Sequence, residues 1–82
     1  MAVQTLLPLA MNTKDEEFFK AMGSRVAQAR KSQGITQQQL AEQLGVAQQT
    51  LAHYEVGRLR VPASMLPALA QLLTLSVDEL IG

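Results

Sequence analysis

Few side chains in this chain are able to do covalent or metal chemistry, and they are poorly placed for it. Cysteine is absent, which removes disulfides, thiolate metal sites, thiol nucleophiles and iron–sulfur clusters together. His53 is the single histidine, so a zinc site would need an almost wholly carboxylate donor set. The carboxylates gather as Asp15, Glu16 and Glu17 near the start and Asp78 and Glu79 near the end. Both groups read as acidic helix starts, where the helix dipole favours anions, rather than as acid–base pairs. There is no glycine-rich phosphate loop. No enzyme activity, metal or cofactor is expected. Hydrogen bonding and charge remain. Gln48 and Gln49 are adjacent amides, followed by Thr50 and, one helical turn beyond Gln49, His53. A glutamine amide offers donor and acceptor side by side, the pair that matches adenine N6 and N7. A plainer reading of these glutamines is solubility, since the chain is rich in glutamine throughout.

Seven basic and seven acidic residues give a net charge of zero. Taken alone, that argues against nucleic acid, whose binders present a basic footprint. The distribution reverses the inference. Between Lys20 and Pro62, the cations Lys20, Arg25, Arg30, Lys31, Arg58 and Arg60 stand against Glu42 and Glu55 alone, a local net charge of +4.

These residues need elements to position them. Eighty-two residues make one domain, and at 48% apolar composition the chain carries enough for a compact core without covalent staples. No stretch approaches the ~20 apolar residues of a membrane helix, and the chain reads as cytosolic. Residues 1–12 are expected to be a poorly ordered arm, with Pro8 breaking any helix in the uncharged MAVQTLLPLA segment. Residues 13–82 form the domain proper.

The domain reads as all-α, a compact bundle of five short helices with no strand signals. Thr13 is the expected N-cap of the first, with Phe18, Met22, Val26 and Ala29 as its apolar stripe and Gly34 at its end. Thr36 with Gln39 is a capping box opening the second, whose buried face is Leu40, Ala41 and Leu44. The third runs from about Ala47 to Val56 and buries Leu51 and Tyr54. Pro62 and a Ser64 cap announce the fourth, where Pro67 falls early enough to cost no internal hydrogen bond. Ser76 with Glu79 opens a fifth that buries Val77 and Leu80, with Ile81 as a further candidate.

The second and third helices are joined through Gly45 and Val46 alone. So short a joint forces a steep crossing instead of an antiparallel pair. Ala41 falls where the axes come closest and only a small side chain fits. Gly45 takes the left-handed turn, which is cheap only without a β-carbon. The exposed face of the third helix is then Gln48, Gln49, Thr50, Ala52 and His53.

At these residues the chain resembles the Cro/phage-repressor type of helix-turn-helix, the XRE family, with a lambda-repressor-like fold. The resemblance runs from about Ser24 to Ile81, through RVAQARKSQGITQQQLAEQLGV, QQTLAHYEVG and the closing LSVDELI. It implies that the domain docks on double-stranded DNA as a two-fold dimer, with the third helix entering the major groove. By the resemblance, Gln48, Gln49, Thr50 and His53 are base-contact candidates, His53 being as readily a solvated side chain. Gln37, Arg58, Arg60 and, less directly, Arg25 are candidates for phosphate contacts, which position a protein without specifying sequence. For Arg58 and Arg60 a solvated loop is the plain alternative, and Lys31 reads as surface charge. The family pattern also pairs Arg30 with Glu55, partly buried, as a structural ion pair. Two departures from the pattern stand out. Ala47 occupies the usual place of a capping serine or threonine, and Val56-Gly57 replaces a common Asn-Gly.

The implied function is a sequence-specific transcription regulator, expected to repress, binding a palindromic operator as a homodimer. With the chain ending at Gly82, the dimer surface is expected from Leu75, Val77 and Ile81 or from the arm, and no pocket for a small-molecule effector is expected. The alternative is an antitoxin-like module that binds a partner protein and regulates its own promoter. An arm that orders only against a partner would favour it. A prokaryotic or phage cytoplasm is the expected setting.

Overall fold

The computed structural model describes residues 13–82, so the expectation for residues 1–12 lies outside the described residues. Among the described residues the chain forms five α-helices, joined by short turns and one 3-10 turn, and no strand. None of these helices is long and apolar enough to cross a membrane.

Helix α1, Thr13–Ser32, carries Asp15 and Glu16 in its first turn and Arg30 and Lys31 in its last, both favourable to the helix dipole. Thr13 is itself helical, not the N-cap outside it. Met22 and Val26 are fully buried, but Phe18 is 42% exposed and Phe19 packs on the core in its place. At about 100° per residue, Phe19 lies roughly 20° from Val26 around the helix and Phe18 roughly 80°. The two rings meet edge to face at 5.1 Å.

Helix α2, Gln37–Leu44, begins at the expected capping box: Gln39 N–H donates to Thr36 Oγ1 at 3.0 Å, and Thr36 N–H to Gln39 Oε1 at 2.9 Å. It ends at Gly45 with φ of 77°. A β-carbon there would meet nothing within 4 Å, so the turn demands glycine for its backbone conformation and not for space. Leu40 and Ala41 are buried and Leu44 is half-buried. Helix α3, Gln48–Glu55, starts after Ala47, whose side chain makes no cap. Leu51 and Tyr54 are buried on its inner face.

After α3 the chain turns at Gly57 and sends Val61 into the core. Helix α4, Leu66–Leu73, follows a 3-10 turn over Ala63–Met65. Ser64 is inside that turn and caps nothing, contrary to expectation. The turn closes instead through Met65 N–H donating to the Pro62 carbonyl at 2.9 Å. Pro67 lies in the first turn of α4, where its missing N–H has no helical acceptor to lose. Leu69, Ala70 and Leu73 are buried, while Leu66 is only half-buried. Helix α5, Val77–Ile81, begins at the Ser76–Glu79 capping box. It buries Leu80 but leaves Val77 37% exposed, because only one face of so short a helix meets α1 and α4.

The core is one cluster. Met22 and Val26 of α1, Leu40 and Ala41 of α2, Leu51 and Tyr54 of α3, Leu69 and Leu73 of α4 and Leu80 of α5 all belong to it.

Candidate nucleic-acid interface

Helix α3 presents its first turn outward because its other side is held twice. Leu51 and Tyr54 fix it to the core, and Gly23 of α1 lets the two backbones touch. A β-carbon at position 23 would lie 2.2 Å from the Tyr54 carbonyl oxygen and 2.6 Å from that of Glu55. Sequence reading passed over Gly23. The signal was there: a glycine next to Met22 inside an otherwise regular helix, kept despite a helix-propensity cost of ~1 kcal/mol against alanine.

Gln48 and Gln49 are exposed, and Thr50 and His53 half-buried. At about 100° per residue, Gln49 stands nearly opposite the direction of Leu51, Tyr54 and Glu55, with His53 roughly 40° from it. Gln48 lies on the side of Glu55, facing the start of α2. Gln49 and His53 therefore share the outward face of α3, with Thr50 at its margin and Gln48 exposed at the start of the helix on the side toward α2.

Beneath that edge lies a buried polar cluster. Arg30 and Glu55 are each 7% exposed. Arg30 grips the carboxylate with two bonds, Nε to Oε2 at 2.7 Å and Nη2 to Oε1 at 3.1 Å. Its Nη1 donates to the Ile35 carbonyl at 2.9 Å, in the turn between α1 and α2. Gln37 joins this cluster, with its Nε2 donating to Glu55 Oε1 at 2.9 Å. One amide proton of Gln37 is therefore committed inward, which leaves the second to face outward chemistry. The link between Gln37 and Glu55 was not legible in the sequence. Eighteen residues separate the two, and only the α2–α3 crossing brings them together.

The four candidate phosphate contacts lie in four places. Gln37 is at the α2 end of the group. Arg58 is exposed and, with Glu16, Lys20, Val56 and Gly57, lines an open groove of about 420 Å³ beyond the C-terminal end of α3. Arg60 turns toward the start of α1, with Nη2 3.4 Å from Asp15 Oδ2 and its guanidinium carbon 5.8 Å above the Phe19 ring. Half of its side chain remains in solvent. Arg25 is not brought to this group at all. Its Nη1 donates to the Leu80 carbonyl at 3.4 Å, at the C-terminal end of α5. The reason is angular: Arg25 and Arg30 point about 140° apart around α1.

Gly57, with φ of 78°, brings the chain beyond α3 against α1, where a β-carbon would lie 2.7 Å from Lys20 Cα. Lys20 thus enters the neighbourhood of Arg58, another neighbour that sequence reading did not supply.

An outward helix start rich in amides, packed against a capped helix across a short turn and braced by a buried ion pair, is a helix-turn-helix arrangement. A family profile for helix-turn-helix domains matches residues 26–80. The chain belongs to the helix-turn-helix family, XRE type. This helix-turn-helix chain is also similar to an uncharacterized HTH-type transcriptional regulator, YobD, of Bacillus subtilis (strain 168). The two are 38% identical over 58 residues, which is 71% of this chain and 52% of that protein. The chain thus spans about half the length of the relative.

Proposed function

We propose that this chain is a transcription regulator that binds double-stranded DNA in a sequence-specific way, as a homodimer on a palindromic operator, and that it represses. The observation that carries the reading is the pair of exposed amides, Gln48 and Gln49, at the start of α3. The inner side of that helix is held by the buried Leu51, Tyr54 and Glu55. A helix of this kind reads base edges from its N-terminal residues, and a glutamine amide suits adenine. Membership of the helix-turn-helix family supports it. Gln37 at one end of α3 and Arg58 at the other hold the backbone on both sides of the groove, Arg60 adding a half-exposed cation beside Asp15.

Two-fold docking places the two recognition helices about 34 Å apart, one turn of B-DNA. The exposed Val77 and the half-buried Leu75 and Ile81 offer the apolar surface for the dimer. Repression follows if the operator overlaps a promoter, since the bound dimer then excludes polymerase.

The test is enrichment of bound duplexes from a random DNA pool, followed by sequencing and by a promoter reporter. A two-fold symmetric consensus whose placement in a promoter lowers reporter output supports the whole reading. An asymmetric consensus removes the dimer, and raised output removes repression. No enrichment by protein of intact helicity overturns DNA recognition and turns attention to a protein partner of the antitoxin kind.

A further inference from the structure

The first turns of α1 set carboxylates beside the loop that follows α3. Asp15 and Phe19 are one turn apart and about 40° from each other around α1, so they share a face. Arg60 lies against both: its Nη2 is 3.4 Å from Asp15 Oδ2, and its guanidinium carbon is 5.8 Å from the centre of the Phe19 ring. Phe19 packs on the core, and Val61, the residue after Arg60, is buried. The backbone at Arg60 is thereby fixed beside α1, while half of its side chain stays in solvent. Glu16 lines the neighbouring groove together with Lys20 and Arg58. Both arginines of this loop thus have a carboxylate of α1 in their neighbourhood.

The helix dipole accounts for acidic residues in the first turn of α1. It does not account for a carboxylate that meets an arginine 45 residues away. An arginine paired in this way presents little net charge to a phosphodiester, and the carboxylate repels any phosphate that approaches the pair. Full engagement of DNA therefore requires Arg60 to leave Asp15 and the face of Phe19. We propose that Asp15 is a built-in competitor of DNA for Arg60, setting the affinity for duplex below what the cations alone would give. The two side chains of the pair are 50% and 46% exposed, so it is weak enough to open on docking. Phe19 holds the guanidinium by its ring face in the undocked state. The proposal rests on the reading of the chain as a duplex-DNA binder with Arg60 among its phosphate contacts. It gives the acidic start of α1 a part in binding as well as in helix initiation.

The experiment measures affinity for the enriched consensus at low salt. It compares wild type, Asp15→Asn, Glu17→Gln, Arg60→Ala and the double variant Asp15→Asn with Arg60→Ala. Glu17 is the charge control: it is exposed in the same helix start but points about 160° away from Asp15 around α1. An exposed ion pair is worth little, so opening it in advance should tighten binding by about twofold to fivefold. The expected result is that gain for Asp15→Asn, a smaller one for Glu17→Gln, and none from Asp15→Asn once Arg60 is alanine. Affinity of Asp15→Asn equal to wild type overturns the proposal. So does an equal gain in Glu17→Gln, which would make the effect one of overall charge. A gain that survives Arg60→Ala overturns it too, because Asp15 would then repel DNA directly. Weaker binding by Asp15→Asn overturns it in the opposite sense, since Asp15 would then aim Arg60 at the phosphate. Each of these outcomes leaves the regulator reading in place. If Arg60→Ala binds like wild type, Arg60 is removed from the phosphate contacts and the competitor has nothing to compete for. If wild type binds no duplex, the regulator reading fails and this proposal fails with it.

Discussion

At the residue scale, the candidate interface separates the side chains proposed to read bases from those that hold the fold. Gln48 and Gln49 are exposed and contribute nothing to the core. Gln48→Ala with Gln49→Ala is expected to leave the melting temperature unchanged. Each lost bidentate contact should cost about 1–3 kcal/mol of discrimination between consensus and random duplex. The salt slope should stay as in wild type, because base contacts release no counterions. Competition binding at several salt concentrations checks both halves. Glu55 is the opposite case. Its carboxylate accepts from Arg30 twice and from Gln37 once. Glu55→Ala strands a buried guanidinium and should destabilise the fold by about 3–5 kcal/mol in urea titration. Replacing Arg30 and Glu55 together by apolar residues of similar volume should cost much less than either single change, since no charge is then left unpaired. Stability equal to that of the single variants would show that the pair is not the source of the loss.

At the element scale, α3 is positioned by packing more than by its own ends. It is eight residues long and begins at an uncapped Ala47. Ala47→Ser is expected to satisfy one of the free N–H groups and to stabilise the domain by about 1 kcal/mol. In a domain of this size that is a rise of about 4–8 °C in melting temperature. Thermal unfolding followed by circular dichroism reads it, and an unchanged midpoint would mean that the cap does not form. Gly23 is the complementary case. Alanine normally improves a helix interior by about 1 kcal/mol over glycine. Here a β-carbon would fall 2.2 Å from the Tyr54 carbonyl oxygen, and that atom is backbone. Gly23→Ala should therefore lower stability despite its better propensity. It should also weaken DNA binding, because α3 must move off α1 to make room. A stabilised Gly23→Ala would show that the two helices can part without cost.

At the scale of the whole molecule, zero net charge coexists with a basic middle, and the fold decides where that middle goes. Lys31 and Gln37 stand near the start of α3, while Lys20 and Arg58 stand beyond its end. Arg25 is drawn away to α5. Val77, 37% exposed on α5, belongs to no core contact that its loss would empty. If the proposed dimer forms through α5, Val77→Asp is expected to leave the monomer folded while weakening self-association. Sedimentation should show a shift to monomer, and binding to a two-fold site should lose affinity while binding to a half-site keeps it. Unchanged sedimentation would remove α5 as the surface of the proposed dimer.

What the sequence determined by itself is local. Both capping boxes, Thr36–Gln39 and Ser76–Glu79, lie within four residues, and both form as read. Gly45 takes its left-handed turn for a reason internal to one residue, and the 3.6-residue period marks Met22, Val26, Leu40, Leu51 and Leu80 as core. Local rules also misplaced some residues. Phe18 and Phe19 differ by one position, and only the angle at which α1 meets the rest selects Phe19. Ser64 looks like a cap, but the 3-10 turn that ends at Met65 moves the start of α4 beyond it. Tertiary structure alone decided the approach of Gly23 to α3, the hold of Glu55 on Gln37, the turning of Arg25 to the end of α5 and the meeting of Arg60 with Asp15. Each joins residues far apart in the chain or depends on which way around a helix a side chain points. Hydrogen-bonded caps and periodicity are written in neighbouring residues, whereas a meeting between helices exists only after the core has fixed their crossing.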